Sequence, residues 1–248
     1  MAAVAHRTIE IEGVEVFYRE SGPVDAPVVL LPHGYPCSSF QFRHFMPALG
    51  DRWRLIAPDL PGFGYSATPD PAKFSYTFAG YGEFLERFVA ALGPKYEWLK
   101  SYWADPTPEG REQMAGNVSE EGFRDEFVGE LPGRLVERVS PDLWTLHWSL
   151  MRHPPRPEIV VGIFGDQANT LEMFPAMQTY LREHRPPTLI AWGPHDGYMP
   201  EESARAYLRD VPDAELHLLD GGHWALETNL DEIVALARDF LGRVHADQ

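Results

Sequence analysis

Apolar and polar positions alternate over Thr8–Ile11 and again over Val14–Arg19, with Glu12-Gly13 between them, which predicts a β-hairpin. Pro27–Leu31 (PVVLL) is a short continuous apolar run and predicts a strand buried on both faces. The run stops at His33-Gly34-Tyr35-Pro36, after which Phe40, Phe45, Met46 and Leu49 recur as on a helix ending near Gly50. Trp53–Ala57 (WRLIA) predicts the next buried strand, closed by Asp59-Leu60-Pro61-Gly62-Phe63-Gly64. Phe78, Tyr81, Phe84, Leu85, Phe88 and Leu92 then fall at helical spacing, and Gly93 stands where a C-cap belongs. Strand, helix, strand, helix is the order of a parallel sheet.

The texture changes from about Pro94 to Pro187, which is rich in Trp, Pro and charge. Tyr96–Trp103 and Pro141–Met151 read as helices, and nothing up to Glu158 reads as a buried strand. The last quarter returns to the earlier pattern. Thr188–Trp192 (TLIAW) and Glu215–Leu219 (ELHLL) predict strands, with a helix over Glu201–Arg209 between them. A final amphipathic helix carries Leu230, Ile233, Val234, Ala237, Phe240 and Leu241, with Thr228 or Asn229 available as its N-cap. The expected layout is therefore a core over 1–93 and 188–248 with a helical cap over 94–187.

Length and composition narrow this picture. At 248 residues the chain fits one large domain, or one core with a modest insertion, and 44% hydrophobic content suffices for a sizeable interior. The 37 acidic against 21 basic residues give a formal charge of −16, a sign that repels phosphate backbones and disfavours nucleic acid as a partner. No apolar run is long enough to span a membrane. Met1–Arg7 has no apolar signal region, and the single Cys37 forms no internal disulfide, so a reducing cytoplasm is the expected compartment.

Four short segments carry candidate chemistry. His33-Gly34-Tyr35-Pro36 follows a strand, where a backbone N–H can help hold a developing oxyanion; on its own it is also an ordinary strand-ending turn. Asp59-Leu60-Pro61-Gly62-Phe63-Gly64-Tyr65-Ser66 is a rigid loop in which Ser66 reads as a loop residue rather than a nucleophile. Trp192-Gly193-Pro194-His195-Asp196 puts a carboxylate at a strand end, able to orient an imidazole or simply to cap a turn. Asp220-Gly221-Gly222-His223-Trp224 places a histidine beyond the next strand, the position of a general base. Asp196 precedes His223 by 27 positions, one strand–helix–strand step, which makes the four segments stronger together than singly.

The stretches HGYPCSSFQFRHF, RLIAPDLPGFGYSATPD, YTFAGYGEFLERFVAALG, KSYWADPTPE, PPTLIAWGPHDGYMP and ELHLLDGGHWALE resemble α/β-hydrolases of the epoxide-hydrolase and haloalkane-dehalogenase branch over nearly the whole chain. The resemblance implies a mostly parallel, doubly wound sheet under a helical cap. It also implies Asp196 as acid, His223 as base and Tyr35 as a backbone oxyanion donor. Intact relatives hydrolyse small apolar organic substrates through a covalent ester on an aspartate, with no metal or cofactor.

That aspartate sits on a strand–turn–helix elbow ahead of the cap. Here Pro94-Lys95-Tyr96-Glu97-Trp98 follows Gly93 at once and already resembles the cap. A strand, elbow, helix and further strand need roughly 35 to 45 residues, and no such block is present, so one internal deletion is expected. The lost strands would lie at the centre of the sheet, leaving Trp53–Ala57 and Thr188–Trp192 without neighbours. Cys37 reads as a small buried filler. Asp166 is the better substitute nucleophile, since Ile159–Phe164 precedes it like a strand and Asn169–Tyr180 follows like a helix, although Phe164 stands where an elbow needs a small residue. Ser101, Ser119, Ser140 and Ser149 lack a strand–turn–helix setting. Three readings follow: a hydrolase relative without its nucleophile, a non-catalytic ligand-binding remnant, or a rewired hydrolase using Asp166. For the second, Tyr96, Trp98, Tyr102, Trp103, Trp144 and Trp148 would line an apolar cavity, or simply pack cap helices together.

Overall fold

The hairpin forms as its alternation predicts. In a computed structural model that describes residues 2–11, 13–85 and 118–246, β1 (Val4–Ile11) pairs antiparallel with β2 (Val14–Ser21), and Gly13 at φ +81° makes the turn. β2 continues antiparallel onto β4 (Arg54–Pro58), and β4 pairs in parallel with β3 (Val28–Leu30), giving the order β1-β2-β4-β3. A separate two-stranded parallel sheet joins β5 (Leu189–Trp192) to β6 (Glu215–Leu218).

Contacts divide the chain into two units. The first comprises Met1–Phe74, Pro141–Val160 and Leu230–Gln248, and the second Ser75–Ser140 and Val161–Asn229. In the first unit, a single 3₁₀ turn over Ser39–Phe42 leads to α1 (Phe45–Leu49), which Gly50 closes. Met46, Leu49, Leu55 and Phe63 expose no surface and form the centre of this core, each contributing about 1.5–3 kcal/mol by burial. The last helix, Leu230–Ala246, packs on α1, and its Arg238 grips Asp51 at 2.6 Å.

The second unit holds α2 (Phe78–Leu85), α3 (Glu120–Val128), α4 (Gly133–Val136), most of the 29-residue helix Arg156–His184, and both strands of the small sheet. α3 starts as its sequence dictates, with the Ser119 hydroxyl accepting from the Gly122 N–H and Glu120 and Glu121 in its first turn. Together with α5 (Asp142–Met151) in the first unit, these helices and their connecting turns make up the described part of 94–187, which contains no strand. The helix Glu201–Asp210 connects β5 to β6.

Three expectations need correction. Pro27–Leu31 is not buried on both faces: Val28 is 55% and Leu30 54% exposed, because β3 is an edge strand whose one partner among the described residues is β4. Trp53–Ala57 keeps its neighbours, since β4 lies between β2 and β3, and Thr188–Trp192 keeps one, since β5 pairs with β6 among the described residues. Ile159–Phe164 is helical and not a strand. Burial at Ile159, Val160, Ile163 and Asp166 follows the 3.6-residue period, and Pro157 and Glu158 suit a helix start. Gly93, Pro94 and the aromatic residues from Tyr96 to Trp103 lie outside the described residues.

Candidate active site

Two loops at the carboxyl ends of β5 and β6 meet in the second unit. After Trp192 the chain turns through Gly193-Pro194-His195-Asp196, and the Asp196 N–H closes the turn on the Gly193 carbonyl at 3.1 Å. Asp196 is buried, and its Oδ1 accepts from the N–H groups of Tyr198 (2.9 Å) and Met199 (2.8 Å). Those two bonds fix the carboxylate so that Oδ2 meets His223 Nδ1 at 2.9 Å. A carboxylate oxygen can only accept here, so Nδ1 carries the proton and Nε2 is the basic nitrogen, the tautomer a general base needs. The Tyr198 and Trp224 rings flank the imidazole at 5.2 and 5.3 Å.

A second carboxylate–imidazole contact lies beside the first. His195 Nε2 is 3.0 Å from Asp220 Oδ1, and Arg134 grips the same carboxylate through both Nη atoms at 2.6 and 2.8 Å. The Arg134 hydrogen bond, then that of His195, holds the Asp220 carboxyl below its ordinary range. Sequence reading missed His195, Asp220, Arg134 and Tyr198. His195 and Asp220 stand inside the two motifs and Tyr198 two residues past the first, but Arg134 lies 86 positions from Asp220 and leaves no local signal.

Tyr35 belongs to the first unit. Its turn is anchored from below: His33 Nδ1–H donates to the Gly34 carbonyl at 2.7 Å, and the Leu60 N–H donates to His33 Nε2 at 2.9 Å. Burial pushes the His33 imidazole below its ordinary pKa, which suits a ring that both donates and accepts. The 59–66 loop serves structure, as its sequence suggests. Asp59 accepts from the Ser39 N–H at 2.7 Å and the Tyr65 N–H at 2.8 Å. Gly64, at φ +51°, passes so close that a Cβ would sit 2.0 Å from Asp59 Oδ2. Ser66 accepts from the Phe17 N–H and donates to the Asp59 carbonyl, with 2% of its surface exposed.

Asp166 has no elbow. It lies inside the helix Arg156–His184, where its carboxylate accepts from the Phe78 N–H at 2.5 Å, at the start of α2, and from Asn169 Nδ2 at 2.7 Å. That is a capping role. Cys37 is buried beside His147, with Sγ 3.3 Å from His147 Nε2, and Ser38 Oγ lies 3.0 Å from the same nitrogen. His147 Nδ1–H donates to the Leu143 carbonyl at 2.5 Å, and burial pushes its pKa down to about 4. Among the described residues no group of three or more His, Cys, Asp or Glu could hold a metal ion, and no helix is long and apolar enough to cross a membrane.

The family described as alpha/beta hydrolase fold matches residues 27–96. An uncharacterized hydrolase of Saccharomyces cerevisiae, YNR064C, is 30% identical over 279 aligned positions that cover 95% of this chain and 95% of its own. Those 279 positions exceed the 248 residues present, so at least 31 of them have no residue here. A haloalkane dehalogenase of Bradyrhizobium diazoefficiens is 41% identical over 93 residues, 38% of this chain and 29% of that one. The crystal structure of epoxide hydrolase VrEH1 from Vigna radiata superimposes with a TM-score of 0.68 at 19% identity, covering 97% of this chain and 98% of that one.

Proposed function

From the premise that this chain belongs to the α/β-hydrolase family, on the branch of epoxide hydrolases and haloalkane dehalogenases, we propose that it keeps the family's acid–base pair and lacks the covalent step. Asp196 acts as the acid that orients His223, His223 as the base, and the Tyr35 N–H as an oxyanion donor toward a small apolar organic substrate or ligand. No cofactor enters this scheme, and the cytoplasm is the inferred compartment, supported by the single cysteine.

One observation carries the reading: the 2.9 Å Asp196–His223 contact is retained, while at least 31 positions of a full-length relative have no residue here. The block expected to be absent is the elbow that presents the attacking aspartate. Asp166, the substitute considered from sequence, spends both carboxylate oxygens on Phe78 and Asn169 within a helix. A base without a nucleophile can still polarise water. Losing the nucleophile of a working triad nevertheless costs on the order of 10⁶ in rate.

The expected outcome is hydrolysis of epoxides, haloalkanes and esters no faster than in a buffer blank, with no ester-modified peptide after incubation with substrate. Turnover that survives Asp166→Ala and disappears in His223→Ala would overturn the proposal.

A further inference from the structure

The base is presented by Asp220-Gly221-Gly222-His223, and two successive glycines give that loop little stiffness of its own. It is nonetheless held on both sides of the imidazole. On one side Asp220 takes the two Arg134 hydrogen bonds and contacts His195. On the other, Trp224 Nε1 donates to the Glu126 carbonyl at 3.2 Å, and its ring lies 4.6 Å from Phe127. Arg138 Nη1 then donates to the Thr228 carbonyl at 3.2 Å. Glu126, Phe127, Arg134 and Arg138 all come from the stretch between Ser119 and Ser140, in the same unit as the base.

The side chains of the two loops cross. Asp196 reaches His223, while its chain neighbour His195 reaches back to Asp220. The backbones cross as well, the His195 N–H donating to the Gly221 carbonyl at 3.0 Å. A Cβ on Gly193 would lie 2.4 Å from that carbonyl oxygen, a separation only glycine permits. A shift of Asp220 is therefore passed to His195, and from there to the adjacent carboxylate that holds the base. A guanidinium fork on a carboxylate also fixes orientation, which a single contact does not.

We propose that Asp220, clamped by Arg134, is a positioning residue for the acid–base pair, steadying the Gly-Gly loop through His195 so that His223 stays on Asp196. This rests on reading Asp196 and His223 as the retained pair. The clamp works without turnover and so has a readout of its own.

The His223 Nδ1 proton, bridging imidazole and carboxylate, is followed by proton NMR on the full chain and assigned by its disappearance in His223→Gln. In Asp220→Asn and Arg134→Met it exchanges with solvent about tenfold faster or more, the loss expected when a charge-assisted bond no longer restrains a loop. Arg134→Lys, which keeps the charge and loses the fork, falls between them and the unaltered chain. Arg182→Gln removes another exposed arginine–aspartate pair, to Asp210 at 2.6 Å, and leaves the signal as it was. If Asp196→Asn abolishes the signal while Asp220→Asn and Arg134→Met leave its exchange unchanged, the positioning role is wrong and the pair stands. If Asp196→Asn itself leaves the signal intact, the pairing is wrong, and the positioning role falls with it. Should Asp220→Asn fail to fold, Arg134→Met alone decides.

Discussion

His147 in the first unit and His223 in the second each give up Nδ1 to an oxygen, the Leu143 carbonyl at 2.5 Å in one and the Asp196 carboxylate at 2.9 Å in the other. Around His147 Nε2 stand two side chains able to attack carbon, Cys37 and Ser38. Yet Cys37, Ser38 and His147 expose 0%, 2% and 1% of their surface, and a neutral carbonyl does little for an imidazolium. His223 has the opposite endowment. Its side chain is 27% exposed and backed by a buried carboxylate, and on the proposed reading it has no elbow from which a nucleophile would act. Among the described contacts, candidate nucleophiles stand beside His147, whereas a charge partner and access to solvent belong to His223. Chemistry depends on their being together, which no inventory of residue types can report.

The sharpest way to break this contrast is to ask whether Cys37 is sealed. A small thiol reagent should modify it on the order of 10³-fold more slowly in the native chain than in denaturant, because reaction waits for opening. Rapid native labelling would mean that the His147 cluster is open to solutes, and the distinction would collapse.

A smaller effect comes from protons. The His147 imidazole has a pKa of about 4 when folded against 6.5 ordinarily, so the unfolded chain binds the proton more tightly. Its contribution to stability is complete above about pH 6.5 and is lost as pH falls toward 4, for a total of about 3 kcal/mol. Buried His33 shifts in the same direction. Urea unfolding measured across that window should show stability falling as pH falls, and His147→Gln should flatten that fall relative to the unaltered chain. An unchanged slope in His147→Gln would show that burial of this ring does not set the pH dependence.

The smallest effect concerns the strands of the same two units. Leu30→Lys in β3 should change unfolding free energy by no more than about 0.5 kcal/mol, since more than half of that residue already meets water. The same variant should lower self-association in sedimentation. A loss of several kcal/mol would show that β3 is covered after all.

Most elements were legible in the sequence because their periods are local. β2, β4, β5, β6 and the helix between the last two lie within two residues of their predicted spans, while β1 starts four residues before its prediction. The Asp196–His223 contact was legible from one strand–helix–strand spacing. Ile159–Phe164 misled because a short run of β-branched residues suits a buried strand and a buried helix alike. The exposure of β3 was hidden for another reason. Val28 and Leu30 are residues suited to an interior, and a chain cannot spell out in their letters whether another strand covers them. The Arg134–Asp220 clamp depends on a contact across 86 positions, beyond the reach of any window.

Among the described residues β3 is paired along one edge alone, and this has a consequence for how the molecule behaves in a crowd. A strand edge of this kind is a template for pairing with its counterpart on another molecule, and the exposed Val28 and Leu30 add apolar surface to that contact. A net charge of −16 keeps copies apart at low ionic strength. At about 0.15 M salt that repulsion reaches only about 8 Å, so dispersal of this protein depends on the ions around it as much as on its own surface.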